Sequence, residues 1–334
     1  MNILMTGAAG YVGSHTAHAL LKFKHASTLK IVIYDNLTTG FTVSIPPQAQ
    51  FVQGDIRDTE KLLQCLHEFK IDAVFHFAAK LIVPESVKNP MDYYDNNVTG
   101  TISLLKACKL ANVTQIIFSS SGAVYGEPRT SENFKESDLT LPINPYGQSK
   151  LMAEKIITDC EADFGMRSVC LRYFNVAGAA TDKKNGQLTK NATHLIHSAS
   201  QTALGFRFHL NIFGTDFPTP DGTGVRDYIH VEDLADLHIL AFSYLVSGGK
   251  SQILNCGYGH GFSVKEVIAA VKNISEVNFE VRAQHRRAGD PSCLVAQVEK
   301  IKNLFQWKPR FDNLELICKS ALEWEKIKPS VSNL

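Results

Sequence analysis

The first thirteen residues limit the possible folds more than any other stretch. Residues 2–6 are a short apolar run, Gly7-Ala8-Ala9-Gly10-Tyr11-Val12-Gly13 follows, and a helical pattern then continues through Ala19, Leu20 and Leu21. A strand, a glycine-rich turn and a helix in that order make a cradle for a diphosphate. Glycines let a ligand approach the backbone, and the helix N-terminus offers unpaired N–H groups and a positive dipole end. The spacing is Gly-x-x-Gly-x-x-Gly, not Gly-x-Gly-x-x-Gly. A glycine repeat alone also fits an ordinary tight turn, but its place after the first apolar run favours the cradle, with Gly7, Gly10 and Gly13 against a dinucleotide.

The second apolar run, Lys30–Tyr34, ends at Asp35-Asn36, and Asp35 stands 22 residues past Gly13. A carboxylate at that point accepts hydrogen bonds from the adenosine ribose hydroxyls and repels a 2′-phosphate, so the expected cofactor is NAD rather than NADP. Residues 51–58 read as a third strand and its exit. Asp55 there either meets the adenine amino group or caps the helix that starts near Thr59. Residues 72–79 are nearly continuous and apolar, as a buried parallel strand should be. His76 within them has no acidic neighbour and reads as a strand-end residue. A helix over 92–112 and a strand over 115–121 follow. Alternating strands and helices predict an α/β fold: a doubly wound, Rossmann-like parallel sheet.

That fifth strand ends at Ser121, and Tyr146-Gly147-Gln148-Ser149-Lys150 lies 25 positions on. If the stretch is helical, Tyr146 and Lys150 share a face one turn apart. A phenol has a pKa of about 10 and is a poor base at neutral pH. A nearby ammonium should lower it, so that Tyr146 takes and returns a proton while Ser121 passes it or orients the substrate. Beside a nicotinamide, that set implies hydride and proton transfer at one carbinol carbon.

From Ala179 the texture changes, with a polar loop, shorter helical and strand-like runs, and a cluster at 285–290. The expected division is a cofactor domain over 1–178, joined by a returning segment near 224–246, and a smaller α+β substrate domain over 179–334. Arg226, Arg287 and Asp290 suit a ligand carrying both phosphate and sugar hydroxyls. Lys+Arg number 34 against Asp+Glu 33, a net charge of +1, so no field recruits nucleic acid or an anionic membrane. The seven cysteines contain no Cys-x-x-Cys, which fits reduced thiols in the cytoplasm and no metal site. The chain starts on a strand with no export signal, consistent with that compartment.

The chain resembles the extended short-chain dehydrogenase/reductase family over nearly its whole length. The resemblance is carried by residues 6–13, 93–101, 118–121, Val124-Tyr125-Gly126, Pro145–Lys150, Leu171–Asn175, Ile212-Phe213-Gly214 and 221–231. It implies tightly held NAD and interconversion of UDP-glucose and UDP-galactose by transient oxidation at C4 of the hexose. Tyr146 is the implied acid/base, assisted by Ser121 and Lys150. Implied cofactor contacts, besides the glycines, are Tyr11, Val12, Asp35, Asn36, Leu37, Asp55, Ile56, Phe77, Ala78, Ala79, Lys80, Asn96, Ser121, Tyr146, Lys150 and Phe174. Implied substrate contacts are Ser121, Tyr146, Asn175, His194, Leu195, Asn211, Phe213, Arg226, Arg287 and Asp290. A homodimer built on helices within 92–112 and 147–164 is also implied. Leu294 stands where related chains that accept N-acetylated sugars have a smaller residue, which favours glucose and galactose. Gly122 and Ala123 replace the Asp-Glu pair with which the related dehydratases expel water.

Overall fold

The computed structural model describes residues 1–23, 29–129, 133–189 and 192–329. The apolar runs of the first half become β1 (Asn2–Thr6), β2 (Lys30–Asp35), β3 (Gln50–Gln53), β4 (Ala73–His76), β5 (Gln115–Ser121) and β6 (Arg167–Tyr173). Between them lie α1 (Tyr11–Lys22), α2 (Thr59–Glu68), α3 (Val83–Lys88), α4 (Pro90–Tyr94), α5 (Gly100–Leu110) and α6 (Pro145–Phe164). The second half supplies β7 (Asn175–Ala177), α7 (Leu195–Ala203), β8 (Leu210–Phe213), β9 (Val225–Arg226), β10 (Tyr228–His230) and α8 (Val231–Val246). It continues with β11 (Gln252–Cys256), β12 (Phe262–Ser263), α9 (Val264–Ser275), β13 (Val281–Gln284), β14 (Cys293–Leu294), α10 (Glu299–Phe305) and α11 (Leu314–Ile327).

The main sheet has seven strands in the order β11-β6-β5-β4-β1-β2-β3, all parallel. Its central strands are apolar at successive positions because both faces are covered. In β1, Ile3 and Met5 face one layer with Ala17 and Leu20 of α1 and Leu234 and Leu237 of α8. Leu4 faces the other layer with Leu62 and Leu66 of α2 and Leu104 and Leu105 of α5. Each such side chain contributes about 1.5–3 kcal/mol by leaving water. The strand order reverses between β1 and β4. In an open parallel sheet that leaves a crevice at the carboxyl ends, where ligands bind.

The smaller C-terminal part is α+β. It pairs β8 with β13 in parallel, forms a three-stranded sheet β12-β9-β14, and packs α7, α9 and α11 on one another. The returning segment runs past 224–246. β10 pairs with β7 outside the main sheet, α8 packs on α1, β5 and β6, and the strand added to the sheet edge is β11. The single helix expected over 92–112 is instead α4, a π-helical turn at Asp95–Thr99, and α5.

Among the described residues no helix is long and apolar enough to cross a membrane, and no cluster of His, Cys, Asp and Glu could hold a metal ion. The seven cysteines are all free.

Candidate active site

A cleft of about 1060 Å³ runs along the carboxyl edge of the sheet and on between the sheet and the C-terminal part. At its floor Gly7 has φ +71°, and a Cβ there would overlap the Ala78 backbone. Only glycine satisfies both the left-handed backbone and that approach. Gly10 N–H donates to Gly7 O at 3.2 Å, and Ser14 N–H to Gly10 O at 3.0 Å, which starts α1 directly over the turn. A Cβ on Gly13 would stand 2.6 Å from Ala8 Cα, so its absence lets the helix lie close to the turn. Tyr11 and Val12 line the cleft, and Tyr11 Oη donates to Gly178 O at 2.6 Å.

Asp35 ends β2 beside this turn. One carboxylate oxygen accepts from Ala9 N–H at 3.0 Å and the other from Leu37 N–H at 2.9 Å. Burial raises its pKa, and the two backbone donors oppose that rise. Each oxygen keeps acceptor capacity toward the cleft. The glycine cradle and this carboxylate fit NAD. Leu37 does not line the cleft; its φ of +61° serves the turn that places its N–H on Asp35.

Asp55 is not the helix cap. Asp58 caps α2 by accepting from Lys61 N–H at 3.0 Å, while Asp55 faces the cleft with Asn36 and Ile56. Side-chain hydrogen bonds from Arg57 hold its carboxyl well below the usual carboxylate range. Phe77, Ala78, Ala79, Lys80 and Asn96 form the wall after β4, and Lys80 Nζ lies 3.4 Å from Asp92. His76 is fully engaged: Nδ1 is 2.8 Å from Thr6 Oγ1 and Nε2 is 3.0 Å from Thr101 Oγ1. It is therefore no base.

Ser121 and Tyr146 both line the cleft. Asn144 caps α6, its side chain accepting from Gly147 N–H at 2.8 Å, and Pro145 occupies the first turn. Tyr146 is 7% exposed; burial raises its pKa and a hydrogen bond with Ser121 lowers it. Lys150 lies behind the cleft wall, with Nζ donating to Ser119 O at 2.8 Å and 4.9 Å from the Phe118 ring centre. Burial brings its own pKa down to about 7, and Glu154 one turn on opposes that fall. One helical turn places both groups on the same face, but the β5 carbonyl captures the ammonium.

Three residues absent from the expected set hold this centre. Asn97, in the π-helical turn, donates to Ser149 Oγ at 2.9 Å and Lys80 O at 3.1 Å, and accepts from Lys80 N–H at 2.8 Å. It ties the β4 exit loop to α6. Glu154 and Arg172 form a buried pair at 2.6 Å, and Ser120 Oγ donates to Glu154 Oε1. Neither role shows in local sequence, because each partner is distant along the chain.

The far half of the cleft gathers Asn175, His194, Leu195, Asn211, Phe213, Arg226, Arg287 and Asp290. Phe174 packs against Gly122, where a Cβ would stand 2.7 Å from its ring. Arg226 pairs with Asp290 at 2.5 Å and also donates to Pro291 O at 2.6 Å. Arg287 lies 3.7 Å from the Phe213 ring centre, and burial lowers its pKa. Leu294, 8% exposed, pairs with Arg226 across the small sheet and walls the cleft.

Residues 3–257 match the NAD dependent epimerase/dehydratase family. The chain belongs to that family. As a family member it is 48% identical to a UDP-glucose 4-epimerase of Azospirillum brasilense, across 97% of this chain and 92% of that one. A Brucella ovis UDP-glucose 4-epimerase solved in complex with NAD is 40% identical and superposes with a TM-score of 0.91 over 96% of this chain and 97% of that one. A Campylobacter jejuni UDP-Glc/GlcNAc 4-epimerase is 45% identical, with a TM-score of 0.83 over 97% and 99% of the two chains.

Proposed function

We propose that the chain interconverts UDP-glucose and UDP-galactose at this cleft, with NAD held tightly and not consumed. One observation carries the reading: Tyr146 and Ser121 line a single cleft together with a dinucleotide cradle and an arginine-lined chamber. When bound, NAD supplies reversible hydride acceptance at a carbinol carbon.

The chain's own residues do the rest. Tyr146 accepts the proton of the hexose 4-hydroxyl directly or through Ser121, and returns it to the same oxygen. Lys150 stands behind the wall on the same helical face as Tyr146, its Nζ fixed on Ser119 O. Arg226 and Arg287 hold the diphosphate, and Phe213 gives the base a flat surface. With a single phenol serving both epimers, the oxidised sugar must present its other face to it. Anchoring at the diphosphate lets the hexose turn while the nucleotide stays. Asp35, Asn36, Asp55, Phe77, Ala78, Ala79 and Asn96 are assigned to the cofactor, and Asn175, His194, Leu195, Asn211 and Asp290 to the nucleotide sugar.

The cofactor domain is taken as 1–178 with the returning segment, and 179–334 as the substrate domain. Work in the reducing cytoplasm suits seven free thiols. A homodimer through α4–α6 suits their exposed apolar residues Met91, Leu110 and Met152. Leu294 favours an unsubstituted hexose. Incubating the protein with UDP-galactose and no added reductant tests the activity. UDP-glucose is expected, with slower turnover of UDP-N-acetylgalactosamine. A 4-keto-6-deoxy product would identify a dehydratase instead, and no product would overturn the assignment.

A further inference from the structure

Asp55, assigned above to the adenine end, is already crowded. Its Oδ1 accepts from Arg57 N–H at 2.9 Å and Arg57 Nε at 2.8 Å, and its Oδ2 from Arg57 Nη2 at 2.8 Å and Asn36 Nδ2 at 3.2 Å. Two carboxylate oxygens offer about four acceptor sites, so these donors fix the carboxylate in place. The remaining guanidinium nitrogen, Arg57 Nη1, reaches across to Asp95 Oδ2 at 2.6 Å. Asp95 opens the π-helical turn Asp95–Thr99, which also carries Asn96 and Asn97. Arg57 and Asp95 both line the cleft, on separate walls: the exit of β3 and the segment after α4. Among the described residues neither Ser121 nor Tyr146 hydrogen-bonds to this pair.

We propose that Arg57 is a positioning residue for the cofactor: a clasp that ties the Asp55 wall to the Asp95 wall and slows NAD release. The inference rests on the reading that this end of the cleft holds the adenosine. A planar fork can take one carboxylate in bidentate fashion and a second with its free edge, which an ammonium cannot do. Arg57 and Asp95 side chains are 45% and 52% exposed, so removing the clasp should leave the fold intact and its strength should depend on salt.

The test measures NAD release from the purified holoenzyme, diluted into a trap of excess dehydrogenase and its substrate. Arg57→Ala and Asp95→Asn are each expected to speed release by about 3–10-fold, the range of one to two partly exposed ion pairs. The double variant should release no faster than Arg57→Ala alone, and Arg57→Lys should stay fast. Raising salt from 50 mM to 500 mM should speed release from the unaltered chain and leave Arg57→Ala unchanged. A merely structural role would not produce that salt response. Unchanged release in Arg57→Ala, or additive effects in the double variant, overturns the clasp. A protein that holds no NAD with Arg57 in place overturns instead the cofactor reading beneath it.

Discussion

Lowering the pH from 7 to 5 should destabilise this protein through its histidines. His15, His194 and His238 are held down to about 4, and His76 and His230 to about 3, each chiefly by burial. His238 illustrates the cause: Nδ1 donates to Leu234 O at 2.8 Å and Nε2 accepts from Ser119 Oγ at 2.9 Å, so the neutral ring is satisfied while burial penalises a second proton. An unfolded histidine titrates near 6.5. Because the folded values lie below that, the unfolded chain binds more protons under pH 6.5. The stability these groups provide is present above 6.5 and is lost as pH falls toward 4 and then 3. Each contributes a slope of about 1.4 kcal/mol per pH unit in that window, or about 2 kcal/mol between pH 7 and 5. Five together come to about 9 kcal/mol, comparable to the whole stability of an ordinary domain at about 5–15 kcal/mol. Urea unfolding between pH 7 and 5, followed through the buried Trp307 and Trp324, gives the slope directly. Several protons taken up per molecule are expected, and about one fewer in His238→Gln. Uptake of one proton or less would refute the claim that these rings are buried neutral.

Three substitutions probe the rest. Tyr146→Phe removes one oxygen from a packed ring and should cut epimerisation by about 10²–10⁴-fold with NAD still bound, read from product formation and from cofactor released on denaturation. Gly7→Ala forces a side chain into a left-handed backbone, costing about 1–2 kcal/mol before the overlap with Ala78 is counted, and calorimetric titration should show NAD binding lost. Glu154→Ala leaves Arg172 charged and buried without its partner, so urea denaturation should show a loss of about 3–5 kcal/mol.

The sheet strands and the glycine cradle were legible because both are written locally. A run such as Ile31–Tyr34 can only be a doubly covered strand, and Gly7 stands where chain direction and close approach both require it. Ser121, Tyr146 and the arginines of the second half were legible as residue types suited to a task. The partner of Lys150 was not. Helical spacing names the residues on its own face, whereas the acceptor is a carbonyl 31 positions earlier on another element. Asn97 was hidden for the same reason, its partners lying 17 and 52 positions away. So was β11, a short edge strand whose place depends on β6 rather than on its own pattern.

The seventh strand has a consequence for synthesis on the ribosome. When residue 178 has emerged, β1–β6 are complete, but β6 still presents an open edge and α1 lacks the α8 helix that packs on it. α8 is complete at Val246, and the β6 edge is paired only once Cys256 is made. Through that interval the nascent chain carries an unpaired parallel strand and bare apolar surface, which invites pairing with other chains. Chains stalled before Gln252 should therefore depend on chaperones, and chains stalled well beyond Cys256 should not.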